Sequence, residues 1–225
     1  GKDILRFHAG VWIGMLLSAG LPLPKAVFVH GFITSDGKKM SKSLGNVVDP
    51  VDYVQKYGTD ALRYYLLREI PTGDDGDFSE ARFVELYNGD LANSLGNLVN
   101  RVLMMVERYT SGIIKGSEKN ETLEKKIGGI WAEYEKSFNN FNIKVAVEHV
   151  LELLAFGNKY VDDQKPWELV KLDQPACEAV LYNLLEILRN SAVMLLPIIP
   201  EKAEKILTML GLNSGDCGYG KYFGF

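Results

Sequence analysis

Residues 39–43 read Lys-Met-Ser-Lys-Ser, inside the stretch "HGFITSDGKKMSKSLGNVVDP". Two ammonium groups and two hydroxyls share a short loop that follows a glycine. Lysine is a compact cation with three donors and suits the charge spread along a phosphate chain. Serine and glycine let such a loop close on a nucleotide and stabilise charge that builds in a transition state. The competing reading is a solvated surface turn, the usual fate of a charge run. Two more clusters carry chemistry. Phe7, His8 and Trp12 fall at i, i+1 and i+5, on one side of a helix, as core aromatics or as the wall of a pocket. Asn97 and Arg101 are four residues apart and share a helix face with Asn93, Asn100 and Arg108 close by, while Trp167 follows Pro166 in "DDQKPWELVK". A polar helix flank and a packed helix-start tryptophan are the plain alternatives there.

The elements that must position these residues follow from periodicity. Ile4, Phe7, Val11, Trp12, Met15 and Leu16 recur at helical spacing, and Gly20 with the prolines of "GLPLPK" ends that helix. "AVFVHGFIT", residues 26–34, reads as a buried strand, and Asp36-Gly37 as a turn. The loop would then sit at the C-terminal end of a strand, where open parallel sheets bind ligands. "PVDYVQKYG" and "TDALRYYLLREI" predict two short helices, the second capped by Thr59. "PTGDDGD", residues 71–77, is an acidic, turn-rich link and the predicted domain boundary. Asp77 and Glu80 have capping-box spacing before a long helix over 79–109, whose core stripe is Phe83, Tyr87, Leu91, Leu95, Leu98, Val102, Met105 and Tyr109. Helices near 120–138, 142–163, 175–195 and 200–210 complete an antiparallel bundle. The tail "NSGDCGYGKYFGF" has no periodicity and is expected to be extended.

The composition of the 225 residues, 47% hydrophobic and 24% charged, is that of a globular chain. A net charge of −4 excludes a protein basic all over, but leaves room for a local cationic patch. Cys177 and Cys217 form no CxxC pair, so neither a disulfide framework nor a four-ligand zinc site is expected, and free thiols fit a reducing, cytoplasmic setting. No apolar run reaches the roughly 20 residues that span a bilayer, so no membrane partner is expected. "GKDILRFHAG" has no signal-peptide anatomy and enters a helix pattern almost at once, as if cut from something longer.

The string Lys39-Met40-Ser41-Lys42-Ser43 matches the signature loop of class I aminoacyl-tRNA synthetases, and "GKDILRFHAGVWIGML" with the loop's flanks resembles the methionyl-tRNA synthetase family. The resemblance runs from Gly1 to about residue 210. It implies a mostly α fold: the remnant of a Rossmann-type α/β nucleotide-binding domain followed by an antiparallel α-helical bundle. Residues 1–75 would be the C-terminal part of the catalytic domain, 76–211 the anticodon-binding domain and 212–225 an extended tail. It implies ATP, arriving with magnesium, and methionine as substrates and tRNA(Met) as partner. By the same likeness Lys39 and Lys42 are the catalytic lysines, Lys42 foremost, with Ser41 and Asp3 also at ATP, Asp3 near the ribose. Ile4, Phe7, His8 and Trp12 would line the methionine pocket, where aromatic rings suit a thioether. Val11 and Ile13 stand where the family pattern carries an aromatic and a proline. Asn97, Arg101 and Trp167 would read the CAU anticodon, because unpaired RNA bases are recognised by stacking and by hydrogen bonds to their edges.

The His-x-Gly-His segment and the zinc-knuckle insert of that family have no counterpart here. The expectation is a truncated chain or one subunit of a split enzyme, with the N-terminal half as a further partner and the chain inactive alone. A non-catalytic tRNA-binding module and a synthetase for Leu, Ile, Val or Cys are the competing readings.

Overall fold

A computed structural model describes residues 1–35, 37–41, 43, 45–114 and 120–212. Lys42 and residues 213–225, which include Cys217 and nearly all of the expected tail, lie outside the described residues. The chain opens in a 3-10 turn, Lys2–Ile4, a π segment, Phe7–Val11, and a regular helix α1, Trp12–Ser18. None of their residues is buried. A three-stranded sheet follows, ordered β2-β1-β3, from β1 (Ile33–Ser35), β2 (Lys38–Lys39) and β3 (Gly76–Phe78). β1 runs antiparallel to β2 and parallel to β3, with Thr34 opposite both Lys39 and Asp77.

The expected buried strand over 26–34 is thus confined to its last residues. Val27 and Phe28 are exposed, because no described strand lies beside that run to pair and cover it. Phe28 instead stacks on Phe141 of the bundle, with ring centroids 4.8 Å apart.

Helices α2 (Pro50–Tyr57) and α3 (Thr59–Glu69) form where the sequence predicts two. The cap of α3 is Gly58, at φ 88°, and Thr59 is its first helical residue with no capping bond. The positive φ that reverses the chain there suits glycine and leaves Thr59 no cap position. The next cap also differs. Ser79, not Asp77, opens α4 (Glu80–Leu86) by accepting from the Arg82 amide, while Asp77 is committed to β3. A π segment, Tyr87–Gly96, then carries the chain into α5, Asn97–Thr110.

The rest of the bundle is α6 (Glu121–Asn139), α7 (Ile143–Gln164), α8 (Pro166–Leu172), α9 (Gln174–Leu195) and α10 (Pro200–Met209). Sequence periodicity missed α8. It is only seven residues long and starts just after α7 ends in a left-handed Lys165. α6 packs on α7, α7 on α9, and α9 on α10. Their core includes Leu98, Val102, Tyr134, Val150, Leu154, Leu184, Ile187 and Leu207, all excluded from solvent. Apolar burial at this scale is what fixes the bundle. α3 belongs to the same core, through the buried Ala61, Leu62, Tyr64 and Tyr65. Among the described residues no helix is long and apolar enough to cross a membrane.

Candidate functional site

The lysine loop is held at both roots. On the entry side Asp77 Oδ1 accepts from Thr34 Oγ1 at 2.7 Å and from the Gly37 amide at 2.8 Å. On the exit side Asn46 Oδ1 accepts from the Ser41 amide at 2.9 Å, and its Nδ2 donates to the Lys39 carbonyl at 3.3 Å. Ser41 and Ser43 share a hydroxyl hydrogen bond of 2.7 Å. Met40 turns inward and packs on the core, so the loop is hinged on an apolar anchor. Lys39 is exposed, and its Nζ stands 5.3 Å from the centre of the Phe32 ring. Lys2 Nζ stands 4.9 Å from the same ring. Lys2 also pairs with Asp75 at 2.7 Å, and this bond, aided by the Phe32 amide, holds the Asp75 carboxyl below the ordinary carboxylate range. Sequence reasoning missed Asp75, Asp77 and Asn46; the runs "DDGD" and "LGN" carried the signal, as short acceptors flanking a lysine loop.

The N-terminal helix brings Phe7, His8 and Trp12 together as expected from their spacing. With Val11 and Met15 they line a shallow concavity of about 390 Å³. His8 Nδ1 donates to the Ile4 carbonyl at 3.1 Å, and the His8 and Trp12 rings meet edge-on at 6.3 Å between centroids. Ile4 does not line the concavity and contributes only that carbonyl. Asp3 is exposed in the opening turn, as Phe7 and Trp12 are on the helix, at 62% and 41%. Exposed aromatic surface of this size on one helix face is the mark of a contact surface or a ligand wall.

The third cluster lies at the end of the bundle where α5, α7 and α8 meet. Asn97 opens α5 and is exposed. One turn on, Arg101 donates to Asp162 of α7 at 2.7 Å. Two residues after the left-handed Lys165, Trp167 occupies the second position of α8 and is 38% exposed. Pro166 pre-sets that helix start. The buried Cys177 thiol donates to the Pro166 carbonyl at 3.5 Å and fixes α8 on α9. Burial raises the Cys177 pKa, so the group stays a thiol and a packing element. An indole on α8 and a guanidinium and an amide on α5 are groups of the kind that stack on and hydrogen-bond to unpaired bases. Asp162, missed from sequence, is the ion-pair partner of Arg101.

A larger groove, about 490 Å³, runs between the π segment, α5 and α10; it is lined by Asn100 and by Tyr87, Leu91 and Leu95 of the expected core stripe, but by none of the residues expected to bind ATP, methionine or the anticodon. Among the described residues no group of three or more His, Cys, Asp or Glu is placed to hold a metal ion.

Two family models match the chain. That for class I tRNA synthetases (M) covers residues 1–103, and that for the anticodon-binding domain of methionyl tRNA ligase covers residues 112–219. The chain is 50% identical over 219 residues to the methionine–tRNA ligase of Nostoc sp., spanning 95% of this chain and 41% of that protein. It is 46% identical over 222 residues to the Bacillus subtilis methionine–tRNA ligase, across 95% of this chain and 33% of that one. The fold is similar to that of the Mycobacterium tuberculosis methionyl-tRNA synthetase in complex with methionyl-adenylate, with a TM-score of 0.92 and 38% identity over 99% of this chain and 45% of that one. The chain therefore spans less than half the length of the relatives it matches.

Proposed function

This chain belongs to the methionyl-tRNA synthetase family, and from that premise we propose that it supplies part of a methionine–tRNA ligase. In that reaction a methionine carboxylate oxygen attacks the α-phosphorus of ATP and pyrophosphate leaves. The methionyl group then passes from the adenylate to a terminal hydroxyl of tRNA(Met). Lys39 and Lys42 meet the phosphates, where their charge counts most as negative charge shifts toward the leaving pyrophosphate. Ser41 joins them through its hydroxyl, its amide being held by Asn46, and Asp3 lies toward the ribose. Magnesium arrives on the nucleotide and is held by its phosphates. Phe7, His8 and Trp12, with Ile4 beside them, form one wall for the methionine side chain. Asn97, Arg101 and Trp167 read the CAU anticodon.

In this reading residues 1–75 complete a catalytic domain, 76–211 bind the anticodon arm, and 212–225 form a tail. The observation that supports the ligase reading is continuity: residues 1–103 and 112–219 match in turn a class I tRNA synthetase (M) model and a methionyl tRNA ligase anticodon-binding model, without bearing on a boundary at 75.

Methionine-dependent ATP–pyrophosphate exchange tests the reading. The chain alone is expected to give none, and the chain joined to the N-terminal portion that its relatives carry is expected to give exchange. Exchange supported by leucine, isoleucine, valine or cysteine in place of methionine would refute the substrate. No exchange after joining, with binding of tRNA(Met) retained, would make the chain a tRNA-binding module.

A further inference from the structure

One carboxylate oxygen governs where the lysine loop begins. Asp77 lies opposite Thr34 in the parallel β1–β3 pair. Its Oδ1 accepts from Thr34 Oγ1 on the outgoing strand and from the amide of Gly37, at φ 71°, in the turn. The return strand β2 starts at the next residue and ends on Lys39. A single acceptor thus ties the outgoing strand to the turn of the hairpin that launches the loop.

The clamp is itself fixed from behind. The Asp77 carbonyl accepts from Tyr65 Oη at 3.3 Å, and the same Tyr65 oxygen accepts from the amide of Ser79, the cap of α4, at 3.0 Å. Tyr65 is 1% exposed and packs edge-on and tilted against Phe78 and Phe83. Asp77 is therefore a bracket whose foot stands in the helical core and whose carboxylate holds the loop. Asn46 closes the other root through Ser41 and Lys39.

We propose that Asp77 is a positioning residue for the phosphate-binding loop, acting through Thr34 and Gly37 to set where the Lys39 backbone leaves the sheet. Lysine stems are long and rotamer-rich, so accuracy at the ammonium groups must come from the backbone that carries them. The inference rests on the proposed role of the loop in binding ATP.

The test pairs two measurements. In the chain itself, Asp77→Ala should move the Gly37 amide proton to the shift of an amide without a carboxylate partner, with the melting transition retained. In the ligase completed with the N-terminal portion, Asp77→Ala should lower kcat for pyrophosphate exchange about tenfold or more, the scale expected when a reacting group is misplaced. The KM for methionine should stay within about twofold, since the pocket wall is untouched. Asp77→Asn keeps Oδ1 as an acceptor and should restore most of the rate. If Lys39→Ala and Lys42→Ala lower kcat while Asp77→Ala does not, the positioning role is refuted and the loop reading stands. An unmoved Gly37 amide also refutes it. If the lysine variants leave kcat unchanged, the loop reading fails and the inference falls with it.

Discussion

Gly157 and Gly128 both stand within long helices, yet replacing each by alanine should move stability in opposite directions. Gly157 is on α7, buried where α5 and α9 cross it. A Cβ added there would stand 2.9 Å from Leu98 Cδ2 and 3.0 Å from Ile187 Cγ2. Leu98 and Ile187 are both fully buried, so neither methyl can retreat without displacing its neighbours. Overpacking of that kind costs about 1–3 kcal/mol. Alanine's helix propensity returns about 1 kcal/mol. The net expectation for Gly157→Ala is a loss of up to about 2 kcal/mol, or up to about 8 °C in melting temperature for a chain of this size. On α6, Gly128 is exposed and a Cβ there would meet nothing within 4 Å. Only propensity acts, so Gly128→Ala should stabilise by up to about 1 kcal/mol. Urea unfolding followed by far-ultraviolet circular dichroism measures both. The same pair reaches function, because Leu98 adjoins Asn97 and any shift of α5 displaces the proposed anticodon face. Binding of a CAU stem-loop, read by fluorescence anisotropy, should weaken for Gly157→Ala and not for Gly128→Ala. If Gly157→Ala is as stabilising as Gly128→Ala, close packing at this crossing is refuted.

Trp167→Ala should weaken binding of a CAU anticodon stem-loop about tenfold or more, the loss of one base-stacking platform; unchanged affinity would remove Trp167 from the interface. The depressed Asp75 pKa, caused first by Lys2 and then by the Phe32 amide, ties the N-terminal turn to the sheet. A lowered folded-state pKa means that this stabilisation is present above the ordinary carboxylate pKa of about 4 and is lost as pH falls through the folded value. The Phe32 amide resonance should therefore shift on acidification below about pH 4, and a flat profile would refute the tie. Asp60, 3% exposed, accepts from the Lys202 amide at 2.7 Å and so caps α10 from α3. Asp60→Ala should cost about 1–2 kcal/mol and speed hydrogen exchange at the start of α10, the effect of a lost N-cap; unaltered exchange there would show that the cap is idle.

What was legible in the sequence was what repeats locally. The helices α2, α3, α6, α7, α9 and α10 announce themselves by apolar spacing, and Phe7, His8 and Trp12, the lysine loop and the Asn97/Arg101 pair by spacing within one helix or one loop; Trp167, on α8, is tied to that pair by no spacing. Interactions between distant segments left no such trace. β1 pairs with β3 across a separation of more than forty residues, so the short length of the strand could not be read from "AVFVHGFIT". Thr59 and Asp77 have good capping chemistry, but the chain reverses at Gly58 and the sheet claims Asp77. The partners that fix the clusters, Asp77 and Asn46 on the loop, Asp162 on Arg101 and Cys177 on Pro166, join different elements in nearly every case.

The π segment Tyr87–Gly96 explains the one systematic error in the long helix. A stripe drawn at a period of 3.6 from Phe83 to Tyr109 assumes that each residue turns by the same angle. Wider π turns rotate less per residue, so the stripe slips as it crosses them. Phe83 is 1% exposed, but Tyr87, next on the stripe, is 36% exposed. Leu95 within the segment and Leu98 and Val102 beyond it are buried, and there the buried face widens to Val99 and Val106, which the stripe had left out. Such a segment is weaker than α-helix and must be held. Asp90 within it accepts from Tyr64 Oη at 2.7 Å and lies 3.5 Å from Arg68 Nε, both on α3. Asn158 of α7 donates to the Ser94 carbonyl at 3.3 Å. The face that α5 presents at Asn97 and Arg101 is thus set by polar ties to α3 and α7 upstream of it, and α3 is the helix whose Tyr65 also anchors the loop bracket. The lysine loop and the proposed anticodon face share one rigid reference, and a change in the packing of α3 must be felt at both.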